Sequence, residues 1–187
     1  MRIIGGQAKG TCLSAFKGKQ IRPTLDRVKE SLFNQIQPYL EGAHFLDWFA
    51  GTGNIGLEAW SRGASKAILI EHNPQALQTI SDNLKKCKAG ERIEVIRSDA
   101  FQALARLEKQ QVQFDMVYID PPFELNLHNT CLESLVESPI LKETTLTIVE
   151  HHHKTTLRKN YGKMALRRER RLGDTWLSFF SARPLFT

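Results

Sequence analysis

Residues 118–123 read YIDPPF, an apolar run from Met116 to Ile119 that stops on an acid, two prolines and an aromatic. Proline fixes φ and has no N–H, so Pro121 and Pro122 make a rigid corner whose carbonyls point outward as acceptors. Asp120 and the Pro121 carbonyl then form a two-acceptor clamp for an NH2 group, and Phe123 offers a face on which a planar base can stack. The exocyclic amine of a base is a poor nucleophile because its lone pair is delocalised into the ring. Two acceptors on its hydrogens favour a pyramidal nitrogen with a directed lone pair. Alignment and charge placement would supply most of the acceleration, with no covalent intermediate.

A second cluster lies upstream in LDWFAGTGNIGLEA, where Gly51, Gly53 and Gly56 match the GxGxxG spacing and Glu71 follows twenty residues after Gly51. Such glycines let a backbone turn sharply and approach a nucleotide, and an acid after the next strand accepts from ribose hydroxyls. Asp47 decides which nucleoside is expected. An acid four residues before Gly51 would repel the pyrophosphate of a dinucleotide, whereas it attracts the ammonium and sulfonium of S-adenosylmethionine. Asp99, in RSDAF, is placed to accept from an adenine amino group, and it is equally a helix N-cap. Phe49 and Ala100 are assigned to the same cofactor pocket.

These residues need elements to hold them. HFLDWF, KAILIE, IEVIR, FDMVYI and TLTIVE read as short apolar strands. NIGLEAWSRG, PQALQTISDNLKKC, AFQALARLEKQ and NLHNTCLESLVE alternate with them as helices, Gly63 ending the first and Pro74 opening the second. This alternation predicts a mostly parallel sheet covered on both faces, a doubly wound α/β fold. KMALRRERR, a turn at 172–174 and TWLSFFSA predict an antiparallel C-terminal hairpin. Ligands of such sheets gather at the carboxyl ends of the strands, so the Asp120 corner is expected to face the methyl donor. The first residues, with Ile3–Ile4 and Leu13–Phe16 as β segments, form a small N-terminal extension (1–22). The main domain is expected over 23–187. It begins with a helix capped by Thr24 that buries Val28, Leu32, Phe33 and Ile36.

The chain has 187 residues, 41% of them hydrophobic, and a net charge of +6. That length buries a core without staples. Three scattered cysteines, Cys12, Cys87 and Cys131, without CxxC spacing, predict reduced thiols and no zinc site. No apolar stretch reaches membrane-spanning length, and the expectation is a cytoplasmic protein. Charge is uneven. Residues 1–29 hold seven Lys/Arg against one acid and 154–171 hold eight against one, while 30–153 hold ten against seventeen. Two basic flanks on an acidic centre predict a polyanion bound by the ends of the chain. Arg2, Lys9, Arg22, Lys154, Arg158, Arg167 and Arg168 are the expected RNA contacts. EHHH at 150–153 suggests a metal, but alternation along a strand keeps three consecutive histidines from converging, and no metal is expected.

Together RPTLDRVKESLFN, FLDWFAGTGNIGLEAWSRGA, VYIDPPF and RLGDTWLSFF resemble bacterial 16S ribosomal RNA (guanine-N2)-methyltransferases. The resemblance spans nearly the whole chain. It implies the class I methyltransferase fold, Rossmann-like, with a seven-stranded, mostly parallel sheet. It also implies S-adenosyl-L-methionine held by Asp47, Gly51, Gly53 and Glu71, and a guanine amine held by Asp120, Pro121 and Phe123. The implied partners are 16S rRNA in the small subunit and ribosomal protein, with the enzyme a monomer. Thr52 stands for the family's usual serine, Trp48 for a smaller apolar residue and Lys29 for an arginine, which puts any contact through a planar guanidinium in question. The motifs alone leave three rivals: an adenine-N6 methyltransferase on DNA or RNA, an NAD-dependent oxidoreductase, and a ribosome assembly factor without catalysis.

Overall fold

The computed structural model describes residues 1–15 and 23–184, and of Pro23, Thr24 and Leu25 only the backbone. The chain divides into two compact units, Met1–Ala103 and Leu104–Thr187. The expected boundary at residue 22 falls outside the described residues.

In the first unit, helix α1 (Pro23–Ile36) presents Val28, Leu32, Phe33 and Ile36 to the core, all at most 3% exposed. It starts one residue before the expected cap, Thr24, because proline suits the first helical position. Strands β1 (His44–Asp47), β2 (Lys66–Glu71) and β3 (Ile93–Arg97) are parallel in the order β3-β2-β1. Helices α2 (Asn54–Ser61) and α3 (Pro74–Cys87) connect them. The Asn73 side chain caps α3 by accepting from the N–H groups of Gln75 and Ala76, with Pro74 behind it as expected. In the N-terminal extension, among the described residues, an antiparallel bridge joins Arg2 to Cys12, flanked by hydrogen bonds from Ile3 N–H to Thr11 O and from Leu13 N–H to Met1 O. Glycines at 5, 6 and 10 break strand geometry there.

Helix α4 (Ala100–Lys109) leads into the second unit. There, β4 (Phe114–Ile119) and β5 (Leu141–His152) are parallel, with α5 (His128–Val136) between them in sequence. β6 (Asn160–Tyr161), β7 (Met164–Leu172) and β8 (Thr175–Ser181) are antiparallel to their neighbours in the order β4-β5-β8-β7-β6. The hairpin turn falls at Gly173, where predicted. The seven expected strands are all present, and the two-residue β6 is an addition. β5 starts four residues earlier than its apolar pattern suggested. Its polar opening is carried by side chains: Thr145 Oγ1 donates to Phe114 O at 2.7 Å and accepts from Lys142 N–H at 2.8 Å, across a register shift in β4. Among the described residues, no helix is long and apolar enough to cross a membrane.

Candidate active site

In the first unit, β1 delivers Asp47 to the mouth of the glycine loop. Its carboxyl is 1% exposed and accepts from the Gly56 N–H at 3.0 Å. Burial pushes its pKa up to about 7; the Gly56 N–H opposes the shift and the charge of Glu71 adds to it. Asp47 therefore fastens the start of α2 to the end of β1. Gly53 ends the loop at φ +75°, a conformation that disfavours any side chain. Gly56 is needed for closeness, since a Cβ there would stand 2.6 Å from Leu69 Cδ1 on β2. Above the loop the situation reverses: a Cβ on Gly51 would meet nothing within 4 Å.

Glu71 ends β2 and ties the two loops together. One oxygen accepts from Gly51 N–H at 2.9 Å and the other from the N–H groups of His72 and Asn73, both at 2.8 Å. Three bonds leave a carboxylate about one acceptor site. Asp99 caps α4, Oδ1 accepting from Phe101 and Gln102, and it is exposed. Ala100 joins the group through Trp48, which the sequence marks only as standing for a smaller apolar residue of the resembled family. The buried indole N–H of Trp48 donates to Ala100 O at 2.7 Å, and its ring packs against Phe49 and edge-on to Phe101, both at 5.6 Å.

Lys29 was legible only as a departure from the arginine of the resembled family. It is 1% exposed, with Nζ 3.0 Å from Glu58, 2.9 Å from Asn54 Oδ1 and 2.5 Å from Arg2 O. Burial lowers its pKa, and the attraction of Glu58 opposes this. Glu58 also holds Arg62 at 2.7 Å and accepts from Ile4 N–H at 2.9 Å. A compact ammonium thus joins α1, α2 and the N-terminal extension.

In the second unit, β4 ends as expected at Ile119. Asp120, Pro122 and Phe123 are exposed, whereas Pro121 is buried. A short 3₁₀ turn, Phe123–Leu125, follows, closed by Leu125 N–H on Pro122 O at 3.1 Å. Among the described residues no hydrogen bond uses the Pro121 carbonyl. Phe123 is 56% exposed, and the edge of its ring meets His152 at 5.3 Å. Beneath the corner, the Tyr118 hydroxyl donates to Glu150, whose pKa is raised by burial against that bond. The expected RNA contacts fare unequally. Arg2, Lys9, Lys154 and Arg168 are exposed. Arg158 pairs with Glu133 and lies 4.6 Å over the Tyr161 ring, and Arg167 donates to Ser181 O and Ala182 O. Each guanidinium has five N–H donors, so both keep donors beyond these contacts. Arg22 lies outside the described residues.

Comparison with known proteins accords with this geometry. The family model described as conserved hypothetical protein 95 matches residues 1–181. Ribosomal RNA small subunit methyltransferase D of Haemophilus influenzae is 38% identical over 151 residues, 80% of this chain and 78% of that protein. The Escherichia coli protein of the same name is 37% identical over 174 residues, 93% of this chain and 86% of that one. The solved structure of yhhF from Escherichia coli superposes with a TM-score of 0.85 at 33% identity, covering 98% of this chain and 99% of that one. The doubly wound α/β fold is thus the class I methyltransferase fold, and the chain belongs to the conserved hypothetical protein 95 family, together with the small-subunit ribosomal RNA methyltransferases D.

Proposed function

We propose that this protein methylates the exocyclic N2 amine of a guanine in 16S rRNA of the small ribosomal subunit. S-adenosyl-L-methionine is the cofactor and supplies an electrophilic methyl on a sulfonium. The residues present fit it: open space over Gly51, a remaining acceptor on Glu71 and an outward Asp99 suit a nucleoside laid on the loop. The observation that carries the reading is the Asp120 corner, an exposed acid beside a Pro121 carbonyl that takes no hydrogen bond among the described residues, and an exposed Phe123 ring.

In this reading Phe123 stacks the flipped base, and Asp120 and the Pro121 carbonyl accept the two amine hydrogens. The nitrogen lone pair forms the new N–C bond as the S–C bond breaks. The surplus proton leaves the nitrogen through Asp120 or water. The N-terminal extension (1–22), with Arg2 and Lys9, and the exposed Lys154 and Arg168 hold rRNA phosphates, so binding weakens with salt. The enzyme acts as a monomer in the cytoplasm, on a particle that presents ribosomal protein as well.

The test is methylation of small subunits purified from a strain lacking the protein, with labelled S-adenosylmethionine and mass spectrometry of the nucleosides. N2-methylguanine is the expected product. N6-methyladenine would replace the base assignment, and an unlabelled particle would leave an assembly factor as the better account.

A further inference from the structure

β5 ends at His152, and there the chain meets the tip of the β7–β8 hairpin. His152 pairs in register with Thr175, and His153 N–H donates to Asp174 O at 2.7 Å, so backbone bonds hold the two corners together. On this frame His152, His153 and Asp174 bring one ligand atom each to within 4.8 Å of one another. His153 Nδ1 and Asp174 Oδ1 are already 3.5 Å apart. Tetrahedral bonds of about 2.1 Å impose a ligand–ligand edge of about 3.4 Å. Small side-chain rotations would bring the third donor in.

The alternation argument against a metal holds for only one of the three histidines. His151 faces inward, with Nε2 2.8 Å from Ser178 Oγ and its ring stacked on Trp176. The strand stops one residue later, so His153 is released from alternation and its ring lies 4.1 Å from that of His152. Lys154 N–H donates to His152 Nδ1 at 3.2 Å, a long bond that a metal at that nitrogen would replace.

We propose that His152, His153 and Asp174 bind one divalent transition-metal ion of the zinc class, leaving coordination positions open to water or ligand. Two imidazoles and a carboxylate are the donor set such ions prefer. All three side chains reach solvent, so the ion enters without crossing the core. A second consequence rests on the reading of Phe123 as the base platform: because His152 abuts that ring, an ion on His152 stiffens the platform.

The test uses the full chain, stripped with chelator and titrated with Co²⁺ and then Zn²⁺. One equivalent of Co²⁺ should give the visible absorption of a four- or five-coordinate ion, bleached by Zn²⁺. By calorimetry, His153→Ala and Asp174→Asn should each weaken Zn²⁺ binding tenfold or more, with unchanged thermal melting. His44→Ala, on β1, should leave it unchanged. Absence of stoichiometric Co²⁺ binding, or equal losses in all three variants, would overturn the site in favour of adventitious binding by surface histidines. Zn²⁺ should also slow hydrogen exchange at 123–126; binding without that protection would overturn the link to Phe123. None of these readouts requires methyl transfer, so the proposed reaction can fail independently.

Discussion

The glycine loop and the Asp-Pro-Pro-Phe corner both follow short apolar strands, yet they treat their acids in opposite ways. Asp47 and Glu71 are turned onto backbone N–H groups, four bonds in all, and Asp47 is almost wholly buried. Asp120 and Phe123 are exposed, on a backbone stiffened by proline. The first arrangement spends side chains on shaping a loop, and in the proposed reaction leaves backbone and one residual acceptor for the cofactor. The second uses proline to fix a corner, and in the proposed reaction offers an acid, a ring and a carbonyl to the base. Substitutions in the first should therefore act on stability and cofactor affinity, and those in the second on turnover and rRNA binding, with stability and cofactor affinity unchanged.

The largest effect expected lies under the loop. Glu58→Ala leaves the Lys29 ammonium buried without its partner, and denaturant unfolding should show a loss of about 3–5 kcal/mol. A loss near zero would mean that Lys29 is neutral there. Asp120→Ala should lower kcat by about 10²–10³-fold while S-adenosylhomocysteine binds as before, by calorimetry; parallel loss of both would erase the contrast between the two regions. Glu71→Ala should weaken cofactor binding by about 1.5–3 kcal/mol, and unchanged affinity would move the ribose elsewhere. Phe123→Ala should cost about 1–3 kcal/mol in rRNA binding with melting temperature unchanged, because the ring is exposed.

The smallest effect expected is a slope. With its folded pKa near 7 against an ordinary 3.8, Asp47 holds a proton in the native state that the unfolded chain has released. Its contribution to stability is whole below pH 3.8 and is lost as pH rises toward 7, by up to about 1.4 kcal/mol per pH unit. Asp47→Asn should flatten that part of the stability profile relative to the wild type. An unchanged slope would place the proton elsewhere.

Much of the frame was legible because local chemistry and tertiary packing agree. Pro74 announces the start of α3, and the run from Phe114 to Ile119 is a strand from end to end. The β7–β8 turn sits where Gly173 permits positive φ. What stayed hidden depends on partners far along the chain. Lys29 on an amphipathic helix looks like a solvated cation until Glu58, Asn54 and the carbonyl of Arg2 converge on it. Arg158 and Arg167 read as surface charge in the sequence, and only the folded edge shows Glu133, Ser181 and Ala182 each taking part of their donors. The closeness of His152, His153 and Asp174 stayed hidden because it depends on the tip of the β7–β8 hairpin, more than twenty residues on.

Residues 4–8 can settle only once α2 has been made. Ile4, Gln7 and Ala8 donate their N–H groups to Glu58 and Ser61, more than fifty positions downstream. Gly6 is pressed so close to the Ser61 carbonyl that a Cβ would lie 1.7 Å from it. A nascent chain leaving the ribosome amino end first must therefore carry this segment undocked until α2 has emerged and folded.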